Sequence, residues 1–176
     1  HIAFLEEGAT PRPTGHGLSL GTATALEAAE DDAGFDVLAP DPAVYGSPDG
    51  VFVRTGEAGP EVSLAYDAAP GLPAADETGV GLLVTQFRAR IDDIAYTKSI
   101  AFDQGTEIAR VRVNGAEGFW IGGEPHVYAR TETGELVESL TRLAGNTLIW
   151  EHGDVTLRLE SGLGRRAALR VARSFR

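Results

Sequence analysis

The chain has 176 residues, 26 acidic against 15 basic side chains, a formal net charge of -11 and no cysteine. The missing cysteines exclude a disulfide scaffold, thiol catalysis and thiolate metal sites, and the negative excess argues against nucleic acid, whose phosphates require a concentrated positive surface. No run reaches the roughly 20 apolar residues that span a bilayer, and no signal-peptide pattern is present.

A chain of this length is expected to form one domain that buries about 70% of its unfolded surface. Its charge is uneven. Residues 1–107 hold 18 acidic and 5 basic side chains, residues 108–176 hold 8 and 10, and from Ser161 onward there are five Arg and no acid. With no Met anywhere and His1 in first place, the sequence reads as a piece of a longer protein whose signal or anchor segment lies outside it.

Residues 8–21, with Pro11, Pro13 and four glycines, read as an extended lead-in, so residues 1–21 are expected to be linker and 22–176 the domain. Thr24 and Glu27 make a capping box, and the helix formers that follow end before Gly34. This predicts a helix over about 25–33 with Ala25, Leu26, Ala29 and Ala33 on its apolar face. A loop punctuated by Asp41, Pro42, Gly46, Pro48, Asp49 and Gly50 leads to paired strands at 51–54 and 62–66. After a polar connection over 67–78, the near-continuous apolar run 80–87 predicts a strand buried on both faces at the centre of a sheet. Ile91, Ile94 and Ala95 have helical spacing and predict a short helix over 91–100.

From there the chain reads as a meander with strands near 106–113, 118–122, 125–131, 135–142, 146–152 and 155–160. The turn at Asn114-Gly115, flanked by alternating residues, is the strongest hairpin signal. A last helix over about 164–175 places Ala168, Val171, Ala172 and Phe175 on one side and Arg166, Arg170 and Arg173 on the other. The expected fold class is α+β: an antiparallel meander sheet with two or three short helices, one of them C-terminal, packed on one face.

Chemistry is sparse. Gly17-Leu-Ser19-Leu-Gly21 matches a nucleophile elbow, but no strand precedes Ser19 and the downstream pattern is antiparallel, so the elbow's strand-to-helix context is missing. Gly15 and Gly17 lack the third glycine of a dinucleotide fingerprint. None of the four histidines has the i, i+4 spacing of a zinc helix. Glu124, His126, Glu151 and His152 would have to converge from separate strands, and strand alternation sends Glu151 and His152 to opposite faces. The acidic loops lack the dense alternation of a calcium loop.

Trp120 and Trp150 read first as core anchors and second as walls of an apolar groove between sheet and helices. The arginine face of the last helix invites an anionic membrane surface, although docking of its apolar side onto the sheet weighs more. No catalytic residue, cofactor or metal is expected. The candidate ligand contacts are Trp120, His126 and Trp150.

Several segments carry a resemblance: Gly118-Phe-Trp120-Ile-Gly-Gly-Glu-Pro125-His126, Arg142-Leu-Ala-Gly-Asn146-Thr-Leu-Ile-Trp150-Glu, Val155-Thr-Leu-Arg-Leu-Glu160, and the helix from Ala168 to Ser174. Upstream, Gly34-Phe35, Pro40, the 79–87 run and Gly105-Thr106 fit as well. Over about residues 20–175 the chain resembles a family of uncharacterised extracytoplasmic domains of high-GC bacteria, found after a single transmembrane helix in anti-sigma-factor-like membrane proteins. The Arg-rich, Lys-poor composition agrees with a GC-rich bacterial source.

That resemblance implies a non-enzymatic, extracytoplasmic sensory or regulatory binding module anchored by a transmembrane segment outside this sequence. The order of meander and helices is also distantly similar to lipoprotein-carrier-like folds, which gives the alternative: a lipid or lipoprotein carrier with an apolar cavity between sheet and helix. The implied partner is a protein or envelope ligand, lipid included, with no nucleic acid and no direct membrane contact.

Overall fold

The computed structural model describes residues 12–56, 59–90, 107–123 and 145–176. Eight strands form one sheet: β1 Thr22–Ala23, β2 Gly50–Gly56, β3 Gly59–Tyr66, β4 Leu82–Phe87, β5 Glu107–Val113, β6 Ala116–Gly122, β7 Asn146–His152 and β8 Val155–Ser161. Helices α1 Leu26–Ala33, α2 Pro42–Tyr45 and α3 Arg165–Ala172 complete the described elements. The class is α+β, as the alternation pattern and terminal helix imply.

Every pairing is antiparallel, and the order across the sheet is β1-β2-β3-β4-β8-β7-β6-β5. Two meanders therefore meet where β4 pairs with β8, Val84 opposite Leu159, and among the described residues β5 is left at the far edge. The register aligns Val51, Leu64, Val84, Leu159, Leu148 and Trp120 in one row across the sheet, all of them buried. Because alternate strand residues share a face, this row defines the apolar side. β4 lies at the centre with both faces covered, the position its near-continuous apolar run predicts.

The helices lie on that side. Ala29 and Ala33 of α1 and Ala168, Val171 and Ala172 of α3 belong to one apolar cluster with Leu64, Val84, Leu148, Leu157 and both tryptophans. Small residues at these helix positions let the backbones approach the sheet closely. The opposite face carries a smaller cluster of Leu20, Phe52, Ala65, Val80 and Leu83. Leu20 comes from the glycine-rich lead-in, so residues 12–21 lie against the sheet. There Thr14 donates to the Asp67 carboxylate at 2.8 Å.

Three local expectations are corrected. Thr24 does not cap α1: the cap residue is Ala25, with no side-chain bond, because the Thr24 amide is taken by the Val51 carbonyl at 3.0 Å as the chain leaves β1. The loop after Asp41 contains α2, whose first turn has Pro42 and a cap from the Asp41 carboxylate to the Ala43 amide at 3.1 Å. The central strand begins at Leu82, since the Gly81 amide turns to the Tyr66 carbonyl at 2.9 Å. The expected helix over 91–100 and strands over 125–131 and 135–142 lie outside the described residues.

Candidate binding surface

The β5–β6 hairpin closes on Asn114 and Gly115 with φ of 49° and 90°. Positive φ at both central positions is what a type I′ turn needs, and Asn-Gly supplies it at low cost. The turn sets Val113 opposite Ala116. In such a hairpin that pair is hydrogen-bonded, so Glu107, Ala109, Val111 and Val113 turn their peptide groups toward β6. The peptide groups of Ile108, Arg110 and Arg112 therefore point outward from the sheet.

This outward edge is exposed. Ile108 keeps 40% of its surface in water and is one of two exposed large apolar side chains among the described residues. On the face away from the helices, the Arg110 guanidinium lies 5.9 Å from the centre of the Phe119 ring, and Arg112 reaches Glu117 at 3.5 Å. These pairs wall an open trough of about 320 Å³ floored by Val111 and Gly118.

Helix α3 packs over β7 and β8, and side-chain bonds tie it to both ends of β5. At the first turn Arg165 bonds the Glu107 carboxylate at 2.7 Å. At the last, Asn114 Nδ2 donates to the Arg173 carbonyl at 3.2 Å, and the Arg173 guanidinium donates to the outward Arg112 carbonyl at 3.4 Å. Arg166 and Arg170 lie on the outer face of α3, exposed, and make no ion pair among the described residues. The result is a cationic corner on an otherwise acidic chain.

The tryptophans sit elsewhere. Trp120 and Trp150 are each 2% exposed and lie in the main core, where the Trp150 ring meets Phe175 edge-on at 5.3 Å. Glycines make room for both. A Cβ on Gly122 would come within 2.8 Å of the Trp120 indole nitrogen, and one on Gly118 within 3.0 Å of the Trp150 Cβ. His126 lies outside the described residues. Register puts Glu151 on the face opposite His152 and Trp150, so the pair does not converge.

Ser19 is exposed with φ of 54° and leads into β1 instead of a helix. Among the described residues no three His, Asp or Glu side chains gather as a metal site, and no helix is long and apolar enough to cross a membrane.

Sequence reasoning found the arginines of α3 but passed over Ile108, Arg110 and Arg112. The signal was present in the Arg-Val-Arg alternation of β5, yet nothing local marks β5 as an edge. No family model matches the chain, and neither a curated protein nor a solved structure does.

Proposed function

We propose that the chain is a non-enzymatic, extracytoplasmic binding or regulatory module of a membrane-anchored bacterial protein. The observation that carries the binding role is the cationic corner formed by α3 and the β5–β6 hairpin. Exposed guanidinium groups, an outward strand edge and an open trough lie together there, while the side chains between sheet and helices pack against one another. Charged, exposed and edge-bearing surfaces suit recognition of a partner.

The position of both tryptophans inside the core supports this reading over a carrier, which needs an apolar cavity of roughly 300 Å³ or more. The extracytoplasmic, membrane-anchored placement rests on the resemblance in the strand and helix segments.

Two measurements test the proposal. Alkaline phosphatase fused after the domain in the full-length gene product should be active, and an inactive fusion with an active cytoplasmic reporter would overturn the placement. Native mass spectrometry of the purified domain should give the bare protein mass. A lipid-sized adduct removed by organic extraction would instead establish the carrier.

A further inference from the structure

We propose that the outward edge of β5 accepts an extended acidic segment of another protein as an added strand, with Arg110 and Arg112 of β5 selecting its charge. The proposal deepens the binding-module reading and rests on it.

Three observations converge. Among the described residues the sheet ends at β5, and the outward peptide groups of Ile108 and Arg110 meet no backbone partner there. Such groups are a template for strand addition, in which main-chain bonds supply affinity and alternate side chains supply specificity. The residues of an incoming strand directly opposite Ile108, Arg110 and Arg112 would share their face, where cross-strand charge pairs form. A carboxylate there would lie against Arg110 and Arg112, at the rim of the trough they wall with Glu117 and Phe119. Finally, α3, on the opposite face of the sheet, holds Arg165 and Arg173 against the two ends of β5 and adds the exposed Arg166 and Arg170 to the positive charge of this end of the molecule.

A second copy of this chain fits poorly. Antiparallel pairing of two β5 edges about Arg110 would oppose Arg110 to Arg110 and Ile108 to Arg112, with no carboxylate facing either cation. The bond from Arg173 to the Arg112 carbonyl is long, at 3.4 Å. It covers one end of the edge weakly enough for a strand to displace it.

The probe is a dye-labelled synthetic peptide of about seven residues alternating Glu with Val or Thr, followed by fluorescence anisotropy with the purified domain. Binding is expected, and Arg110→Glu should weaken it about tenfold or more. N-methylation of the peptide's alternate amides, which removes the donors needed for pairing without touching the protein, should abolish it. Ile108→Pro removes an outward N–H that the β6 ladder does not use, so it should weaken binding while leaving the thermal midpoint nearly unchanged.

No binding of the parent peptide overturns the proposal. So does equal binding of the N-methylated peptide, which would reduce the contact to diffuse charge attraction. Binding to phosphatidylglycerol vesicles in place of the peptide would make the corner a membrane contact. A dimer lost on Ile108→Pro would make the occupant a second copy. None of these outcomes bears on the phosphatase fusion, so a wrong partner and a wrong placement remain distinguishable.

Discussion

The side-chain amide of Gln86 pairs in both directions with the peptide of Leu38: Nε2 donates to the Leu38 carbonyl at 2.8 Å and Oε1 accepts from the Leu38 amide at 2.9 Å. Gln86 is fully buried near the end of β4, on the helix side of the sheet. Its amide imitates a strand edge and fixes the segment 35–41 where it crosses between α1 and the end of α3. Gln86→Ala strands the Leu38 carbonyl and amide and opens a small void. Loss of about 2–4 kcal/mol is expected in chemical denaturation. Gln86→Leu, which fills the volume but bonds nothing, should recover only the smaller part of that loss. Full recovery would show that packing, not pairing, holds the crossing.

Gly118 is required by a close approach and not by its dihedral angles. A Cβ there would meet the Ile149 carbonyl at 2.5 Å and the Trp150 Cβ at 3.0 Å. Gly118→Ala should therefore push β6 from β7, cost about 1–3 kcal/mol, and change the near-ultraviolet circular dichroism of Trp150. An unaltered spectrum with unaltered stability would mean that the strands separate freely at this point.

How much of this was legible in the sequence depends on range. The Asn114-Gly115 turn, the Gly153-Asp154 turn and the apolar run of β4 are local signals: the hairpin strands fall beside those turns, and β4 falls within that run, beginning two residues late at Leu82. The amphipathic split of α3, with Ala168, Val171 and Ala172 buried and Arg166 and Arg170 exposed, is also local. β1 was not legible, because two residues carry no period and exist as a strand only by pairing with Val53 and Phe52. The edge was not legible either. It depends on β8 and not β5 taking the place beside β4, a long-range choice that leaves no mark on the seven residues of β5. The candidate surface was half visible for the same reason: its helix was read and its strand was not.

Tyr66 makes stability fall at alkaline pH. Burial first, and the charge of Asp49 second, push its phenol well above the ordinary value. Its hydroxyl has no hydrogen-bond partner among the described residues. In the unfolded chain the phenol loses its proton near about pH 10, whereas in the folded chain it keeps it. Above about pH 10 the folded state therefore binds more protons, so the contribution is complete below that pH and declines as pH rises above it. Tyr66→Phe should be neutral or stabilising by up to about 1 kcal/mol at pH 7, since it removes an unpaired buried hydroxyl. It should also flatten the decline above about pH 10 in paired urea melts. A variant clearly less stable at pH 7 would mean the hydroxyl has a partner, such as an ordered water.

Phe175 closes the core at the end of the chain, and its loss should be felt through Trp150. The two rings meet at 5.3 Å and 88°. The backbone that carries Phe175 is held on both sides, since Arg176 exchanges two bonds with Ala39 at 3.0 and 3.1 Å and the Asp41 amide donates to the Ser174 hydroxyl at 3.3 Å. With the backbone pinned, the neighbourhood collapses poorly into the space a truncated side chain leaves, and the cavity cost is retained. Phe175→Ala should cost about 2–3 kcal/mol for a partly buried ring, including the edge-on pairing of about 0.5–1.5 kcal/mol. Phe175→Leu should restore much of the burial but not the ring contact. The check is thermal unfolding followed by tryptophan fluorescence, in which Phe175→Ala lowers the midpoint and shifts the folded-state emission to the red as Trp150 gains solvent. If the midpoint falls and the emission stays, the ring stabilises the 39–41 crossing and not the tryptophan. Phe175→Leu would then recover most of what Phe175→Ala loses, because the ring contact that Leu lacks would not be the one that matters.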